Sequence, residues 1–287
     1  VTVLALLASP ALAALPAANA KTPAVTTVAS LDGIRYRTTV VDGRTRLVQL
    51  SPTRRAVMTL REPMQLRLVE PGGRRVVLAT PLPAGTDPYR PGGRASTRLV
   101  VADTEERTSR GYNVPRNIEA DAFGVGNGQL FVVDHRPALQ PAYYRVAGLD
   151  LRSGEFYELF GPDKQPLTVN MTGTARAQVA SLDGRQLYTL YTQHAHEHEH
   201  ADAHDAAASA QAFIHVLDLT SSWAYCVDLP AEFGHGPARA ASIALDQTGA
   251  TVEVVDRHAG KVARVPTAQL SLTTLSQRAP DVQVSSV

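Results

Sequence analysis

Three glycine-cornered phrases decide how this chain is read: Gly126-Asn127-Gly128-Gln129-Leu130-Phe131-Val132-Val133, Asp183-Gly184-Arg185-Gln186-Leu187-Tyr188-Thr189-Leu190-Tyr191 and Asp246-Gln247-Thr248-Gly249-Ala250-Thr251-Val252-Glu253-Val254. In each, a turn carrying glycine opens into an apolar run about one strand long. A second phrase follows the first two at similar distance, Tyr144-Arg145-Val146-Ala147-Gly148-Leu149-Asp150-Leu151 and Phe213-Ile214-His215-Val216-Leu217-Asp218-Leu219. Weaker echoes stand upstream, Ser30-Leu31-Asp32-Gly33-Ile34-Arg35-Tyr36-Arg37 and Pro71-Gly72-Gly73-Arg74-Arg75-Val76-Val77-Leu78. From Gly73 to Gly128 is 55 residues and from Gly128 to Gly184 is 56, a period that suits a four-stranded unit with one longer loop.

Between these corners the chain is mostly short Val, Leu, Ile, Thr and Tyr runs bounded by Gly, Pro, Asp and Asn. Several alternate polar and apolar residues, as in Arg46-Leu47-Val48-Gln49-Leu50 and Thr251-Val252-Glu253-Val254-Val255. An all-β chain follows. A small sheet cannot bury both faces until neighbours cover them, so a repeat of this length predicts a β-propeller, whose closure also removes exposed edges. Five units are visible. Chain length at about 40 to 45 residues per blade predicts six or seven four-stranded blades, with residues 21–287 as one domain and the N-terminal strand completing the last blade. The rival fold, a pair of two-sheet sandwiches, would not generate a period.

The composition is that of a folded protein: 287 residues, 44% hydrophobic and 19% charged, with 20 Gly, 19 Pro and one Cys. Disorder and collagen are excluded, and a lone Cys226 excludes a disulfide scaffold and paired-cysteine zinc motifs. The first twenty residues, Val1 to Ala20, form an apolar run ending in Ala18-Asn19-Ala20, the small-residue pattern of a signal-peptide cleavage site. Export is expected, to a secreted or cell-wall-associated location, and no later stretch has the apolar length of a membrane span.

Charge is unevenly placed. Arg35 to Arg116 holds 16 Arg, no Lys and seven acids, a net of +9, whereas the chain from Asn117 onward carries a net of −8. A basic half attracts anionic polymers through its field. Arg outnumbers Lys 25 to 3 over the whole chain, however, which with the abundant Ala, Val, Gly and Pro reads as the codon usage of a GC-rich genome. With aromatics at only 6% and no reader motif, nucleic acid is not expected as a partner.

The stretch SLDGRQLYTLYTQ (181–193), the histidine-rich segment after it, AFIHVLDL (212–219) and SSWAYCVDLP (221–230) resemble a group of exported actinobacterial propeller proteins, over about Tyr112 to Leu275. The chain is also similar to the broader YVTN/WD40-type propellers of bacterial surfaces, although the Trp-Asp ending of WD40 blades is missing. The resemblance implies the fold and an extracytoplasmic location. It supplies no catalytic motif that maps onto these residues.

The most unusual segment is the low-complexity insertion 194–210. His194, His196, His198, His200 and His204 fall within eleven residues, interleaved with Glu197, Glu199, Asp202 and Asp205. Neutral imidazoles bind Zn²⁺, Ni²⁺ and Cu²⁺, and the acids supply charge or outer contacts. The i, i+2 spacing fits an extended loop, while His196 with His200 and His200 with His204 fit one face of a short helix. The equally simple alternative is a solvated insertion without function. No cofactor is required by any motif in the chain.

Other candidates are weaker. Asp134 and His135 are adjacent, so on a strand they point to opposite faces. Asp256 and His258 sit near Gly260 in an expected turn, and His235 lies in a loop. Cys226 reads as a small buried hydrophobe, since no base can be placed beside it from sequence. Gly124-Val125-Gly126-Asn127-Gly128 lacks the Lys of a phosphate loop and reads as a turn. Asn170-Met171-Thr172 is a glycosylation sequon. The functional expectation is a non-enzymatic binding scaffold, monomeric, whose loops contact a protein, wall polymer or small ligand. Its rivals are metal capture by the histidine tract and a propeller hydrolase or lactonase.

Overall fold

The computed structural model describes residues 25–31, 33–83, 86, 92–126, 128–161, 164–167, 170–173, 175–192, 212–237, 240–270 and 283–286. They form five antiparallel four-stranded sheets, each a consecutive meander. The first contains β1 (Val25–Leu31), β2 (Ile34–Val41), β3 (Arg44–Ser51) and β4 (Arg55–Leu60); the second β5 (Gln65–Val69), β6 (Arg75–Ala79), β7 (Thr97–Asp103) and β8 (Thr108–Val114). The third contains β9 (Asn117–Phe123), β10 (Gln129–Arg136), β11 (Tyr143–Asp150) and β12 (Phe156–Glu158); the fourth β13 (Ala175–Ala180), β14 (Gln186–Thr192), β15 (Ala212–Asp218) and β16 (Ala224–Asp228). The fifth contains β17 (Ala241–Leu245), β18 (Thr251–Asp256), β19 (Lys261–Pro266) and β20 (Gln283–Ser286). The fold is an all-β propeller, as the period requires.

Each glycine corner found in the sequence is the turn between the first and second strand of one sheet. Gly33, Gly73, Gly128, Gly184 and Gly249 all have positive φ there, from 69° to 88°, a region that a side chain disfavours. The Leu-Asp-Leu phrases likewise occupy one position, the end of the third strand. Asp150 Oδ1 accepts from Arg152 N and Ser153 N, both at 2.7 Å, and Asp218 Oδ1 accepts from Thr220 N at 2.7 Å and Ser221 N at 2.6 Å. Asp103 does the same at the end of β7. A carboxylate that takes two turn amides replaces the ladder bonds lost where the strand ends.

The described residues make five sheets, one for each corner visible in the sequence, where chain length led to an expectation of six or seven. The corner spacing grows from 40 residues (Gly33 to Gly73) to 65 (Gly184 to Gly249) because long connections interrupt some units. One expectation is corrected: the N-terminal strand does not complete the last blade. Leu31 pairs with Ile34, so β1 folds onto β2 across a two-residue turn, and the chain's own β20 is the fourth strand of the last sheet. A local hairpin closes with far less chain entropy lost than a pairing across the whole chain.

Four apolar clusters join consecutive sheets. Leu47 and Val57 pack on Leu66, Val76 and Leu78; Val77, Leu99 and Val101 on Ile118, Leu130 and Val132; Phe131, Val133 and Val146 on Leu187, Tyr191 and Phe213; Leu190, Ile214 and Val216 on Val252, Val254 and Val265. Three of the connections between units are also pinned near the start of a third strand, two by a threonine side chain and one by backbone bonds. Thr45 Oγ1 accepts from Met64 N at 2.6 Å, Thr97 Oγ1 accepts from Ile118 N at 3.1 Å, and Tyr144 exchanges backbone bonds with Met171. Among the described residues no apolar cluster joins the fifth sheet to the first. No helix is long and apolar enough to cross a membrane among the described residues.

Candidate functional site

The first strand of each sheet is its innermost, because sheet-to-sheet contacts concentrate on the pairs β1 with β5, β5 with β9 and β13 with β17. Outer strands bury Val, Leu and Phe, but three of these inner strands carry charged or amide side chains: Arg67 on β5, Asn117, Glu119 and Asp121 on β9, and Gln178 on β13. They find one another across the sheets. Arg67 Nε lies 3.7 Å from Glu119 Oε2. Gln178 Nε2 donates to Asp121 Oδ1 at 2.9 Å and to Thr189 Oγ1 at 3.1 Å.

A fourth contributor comes from the long connection between β6 and β7. Arg94 N donates to Ala138 O at 2.9 Å, and Asn117 Nδ2 donates to Gly92 O and Ala138 O, both at 3.1 Å. This seats the connection across the ends of β9 and β10. Gly93 is needed there, since a Cβ at that position would run into the Leu139 carbonyl. Arg94 then reaches inward: its Nε donates to Asn117 Oδ1 at 2.7 Å, and its Nη2 to Ile118 O and Glu119 Oε1.

The result is two guanidiniums on one carboxylate. The side chains of Arg67, Arg94 and Glu119 are 10%, 16% and 8% exposed. Burial lowers the Arg67 pKa below its ordinary value, opposed by Glu119 and reinforced by Arg94. Two buried donors, Arg67 Nε and Arg94 Nη1, have no hydrogen-bond acceptor among the described residues. Buried guanidinium donors are costly unless they meet an acceptor. The site therefore has spare positive charge and spare N–H groups for an anionic or carbonyl-bearing ligand.

Beside this cluster, between the third and fourth sheets, lies a buried aromatic group. His135 packs on Tyr144 (centroids 5.6 Å apart), Tyr144 on Tyr191 (5.6 Å), and Tyr191 on Phe213 (5.1 Å) and His215 (6.3 Å). The ladder of the fourth sheet sets Gln178, Thr189, His215 and Cys226 in one row. His215 is thus the imidazole nearest in register to Cys226, a placement that sequence could not supply. The pair is no activated nucleophile, because burial pushes the Cys226 thiol well above its ordinary pKa and Asp228 adds to the effect.

The other sequence candidates take structural places. Asp134 and His135 part as alternation requires: the carboxylate pairs with Arg116 at 3.0 Å and Arg136 at 2.7 Å, while the imidazole faces Tyr144. Asp256 Oδ1 caps the turn through His258 N (2.9 Å) and Ala259 N (3.0 Å). His235 Nε2 bonds Ala231 O at 2.6 Å on the surface. Asn170 of the sequon accepts from Arg145 Nε at 2.8 Å.

His194, His196, His198, His200 and His204, and the leader 1–20, lie outside the described residues. The paired residues Thr192 and Ala212 flank the histidine tract, at the same end of the strands as Asn117 and His135. Among the described residues no group of three or more His, Cys, Asp or Glu is placed to hold a metal ion. Sequence reasoning missed Arg67, Arg94, Glu119, Asp121 and Gln178. For Arg67, Glu119 and Asp121 the signal was a charged residue inside an apolar strand, as in Gln65-Leu66-Arg67-Leu68-Val69 and Asn117-Ile118-Glu119-Ala120-Asp121; Arg94 in a connection and the neutral Gln178 had none.

No protein-family model matches the chain, and no curated protein matches it in sequence. Solved structures do. TolB from Acinetobacter baumannii is 11% identical with a TM-score of 0.42, over 82% of this chain and 49% of that one. Hydrazine synthase from Kuenenia stuttgartiensis is 11% identical with a TM-score of 0.47, over 86% and 66%. An oligogalacturonate lyase in complex with manganese is 11% identical with a TM-score of 0.49, over 84% and 61%. The chain spans about half to two thirds of the length of these structures, and at such identities the likeness is one of fold alone.

Proposed function

We propose that this chain is an extracytoplasmic propeller scaffold that binds its ligand without transforming it. The ligand is a small carboxylate or similar anion, seated where Arg67 and Arg94 converge on Glu119. The observation that carries this reading is the pair of buried donors, Arg67 Nε and Arg94 Nη1, that have no acceptor among the described residues. Two cations share one carboxylate in a site of low dielectric, so an added anion both completes the hydrogen bonding and offsets charge. The extracytoplasmic assignment rests on the leader Val1–Ala20.

A propeller hydrolase or lactonase is the alternative, and it would need a carboxylate or imidazole poised for proton transfer. Glu119 is held by Arg94 and Arg67, and Asp121 by Gln178, which supports binding over general-base work. Metal capture by the histidine tract is a separate activity that this scaffold can carry.

The test is thermal melting in a panel of acetate, citrate and galacturonate, with Arg94→Gln and Arg67→Gln as controls. Saturable stabilisation of the wild type that both variants lose supports the reading. Absence of stabilisation by every member of the panel overturns it. Turnover of a lactone that Glu119→Gln abolishes replaces it with the hydrolase.

A further inference from the structure

We propose that the open face of the first sheet docks a linear phosphodiester polymer. Alternation along β2 and β3 sends Tyr36, Thr38, Thr45 and Leu47 into the core and Arg37, Thr39, Val41, Arg44, Arg46 and Val48 to the opposite face. With Arg54 and Arg55 these outward residues line a concavity of about 580 Å³ whose walls include no carboxylate. In a propeller the flat face of one blade is covered by the next, yet among the described residues no cluster covers this one.

Ion pairs occupy six of the other arginines in the basic half; Arg35, Arg61, Arg107 and Arg110 also make none among the described residues, but they do not line the concavity. Farther along the chain, Arg67 and Arg94 meet Glu119, Arg74 meets Asp103 and Glu106, Arg75 meets Glu70, Arg98 meets Glu62, and Arg116 meets Asp134. Arg37, Arg44, Arg46, Arg54 and Arg55 make no ion pair among the described residues; Arg55 donates to the neutral Gln49, and Arg37 Nε is buried without an acceptor. Codon usage explains why arginine is used. It does not explain why five arginines without carboxylate partners share one concave face.

Their spacing specifies the ligand. Arg44 and Arg46 stand two residues apart on one strand, about 6.8 Å, and Arg37 and Arg46 are diagonal neighbours across β2 and β3, about 7–8 Å apart. Like charges at that distance repel, so the face is relieved by a chain of regularly spaced anions. Guanidinium forks match phosphate oxygens two at a time. Thr39, Val48, Ala56 and Thr59 between them are small and leave room for a slender polymer. No aromatic lines the concavity for base stacking, which disfavours single-stranded nucleic acid. A second copy docking through the same face would set arginine against arginine.

The inference is independent of the Arg67–Arg94–Glu119 site. The probe is a synthetic poly(glycerol phosphate) oligomer, titrated into the full chain at low and physiological salt. Wild type should bind, with affinity falling linearly on a log–log plot against salt. The exposed-residue double variant Arg44→Gln/Arg46→Gln, checked for an unchanged melting temperature, should bind at least tenfold more weakly, and the equally charge-reducing Arg107→Gln/Arg257→Gln, exposed and outside the concavity, should bind as wild type does. Equal binding by the first double variant overturns the proposal, as does tighter binding of polyglutamate, oligodeoxythymidine or phosphatidylglycerol vesicles. Binding that emerges only after residues 194–205 are deleted also overturns it, because the chain's own acidic tract would then be the occupant.

Discussion

Gln178 on β13 donates one amide hydrogen to Asp121 on β9 and shares another contact with Thr189 on β14, so a single neutral side chain ties the third sheet to the fourth at their innermost strands. Asp121 is buried, and a buried carboxylate that loses a donor costs about 1–3 kcal/mol. Gln178→Ala should lower stability by that amount, and Gln178→Glu should cost more by placing a second carboxylate against the first. Urea unfolding followed by circular dichroism measures both. Equal losses for the two variants would show that the amide is not what holds Asp121.

Asp256 gives a pH dependence with a definite sign. Burial pushes its pKa up, but donation from the backbone N–H groups of Gly234, Ala259 and His258 outweighs this and holds it below the ordinary carboxylate value. Its stabilisation is therefore full above the unfolded pKa of about 3.9 and is lost as pH falls through the lower folded value. The stability difference between wild type and Asp256→Asn should stay constant from pH 7 to about 5 and shrink below about 4. A difference that grows on acidification contradicts the assignment.

Gly93 lets the β6–β7 connection approach the Leu139 carbonyl and so seats Arg94. Gly93→Ala must push that backbone away, at a cost of about 1–3 kcal/mol. Hydrogen exchange at the Arg94 amide, bonded to Ala138 O, should accelerate well beyond the global change in stability. Unchanged protection there would mean that the connection tolerates the methyl.

The Cys226 thiol, raised by burial, stays protonated at neutral pH. Reaction with a disulfide reagent at pH 8 should be at least about tenfold slower in the native protein than in urea, since the thiolate is the attacking form. Comparable rates would indicate an activated cysteine and reopen a role for His215.

Titration with Zn²⁺, Ni²⁺ and Cu²⁺ tests the histidine tract. Micromolar or tighter binding at pH 7.4, weakening below about pH 6.5 as imidazoles protonate, should vanish when His194, His196, His198, His200 and His204 are replaced by Ser. Equal binding after that replacement removes the tract from consideration.

Much of this protein is written in contacts between near neighbours along the chain. A glycine at positive φ, an aspartate capping the next turn and an alternating strand act within a few residues, so the five corners, the all-β class and the separation of Asp134 from His135 can all be read without coordinates. Sheet number is harder, because loop length varies without altering the local signal. The Arg67–Arg94–Glu119 cluster and the arginine face belong to packing between sheets. Arg67 and Glu119 are 52 positions apart, and nothing local distinguishes an arginine that will meet a carboxylate from one that will not. Pairing across sheets depends on which strands lie innermost and how each is registered on its neighbour, and the free energy that sets this is spread over the whole apolar core.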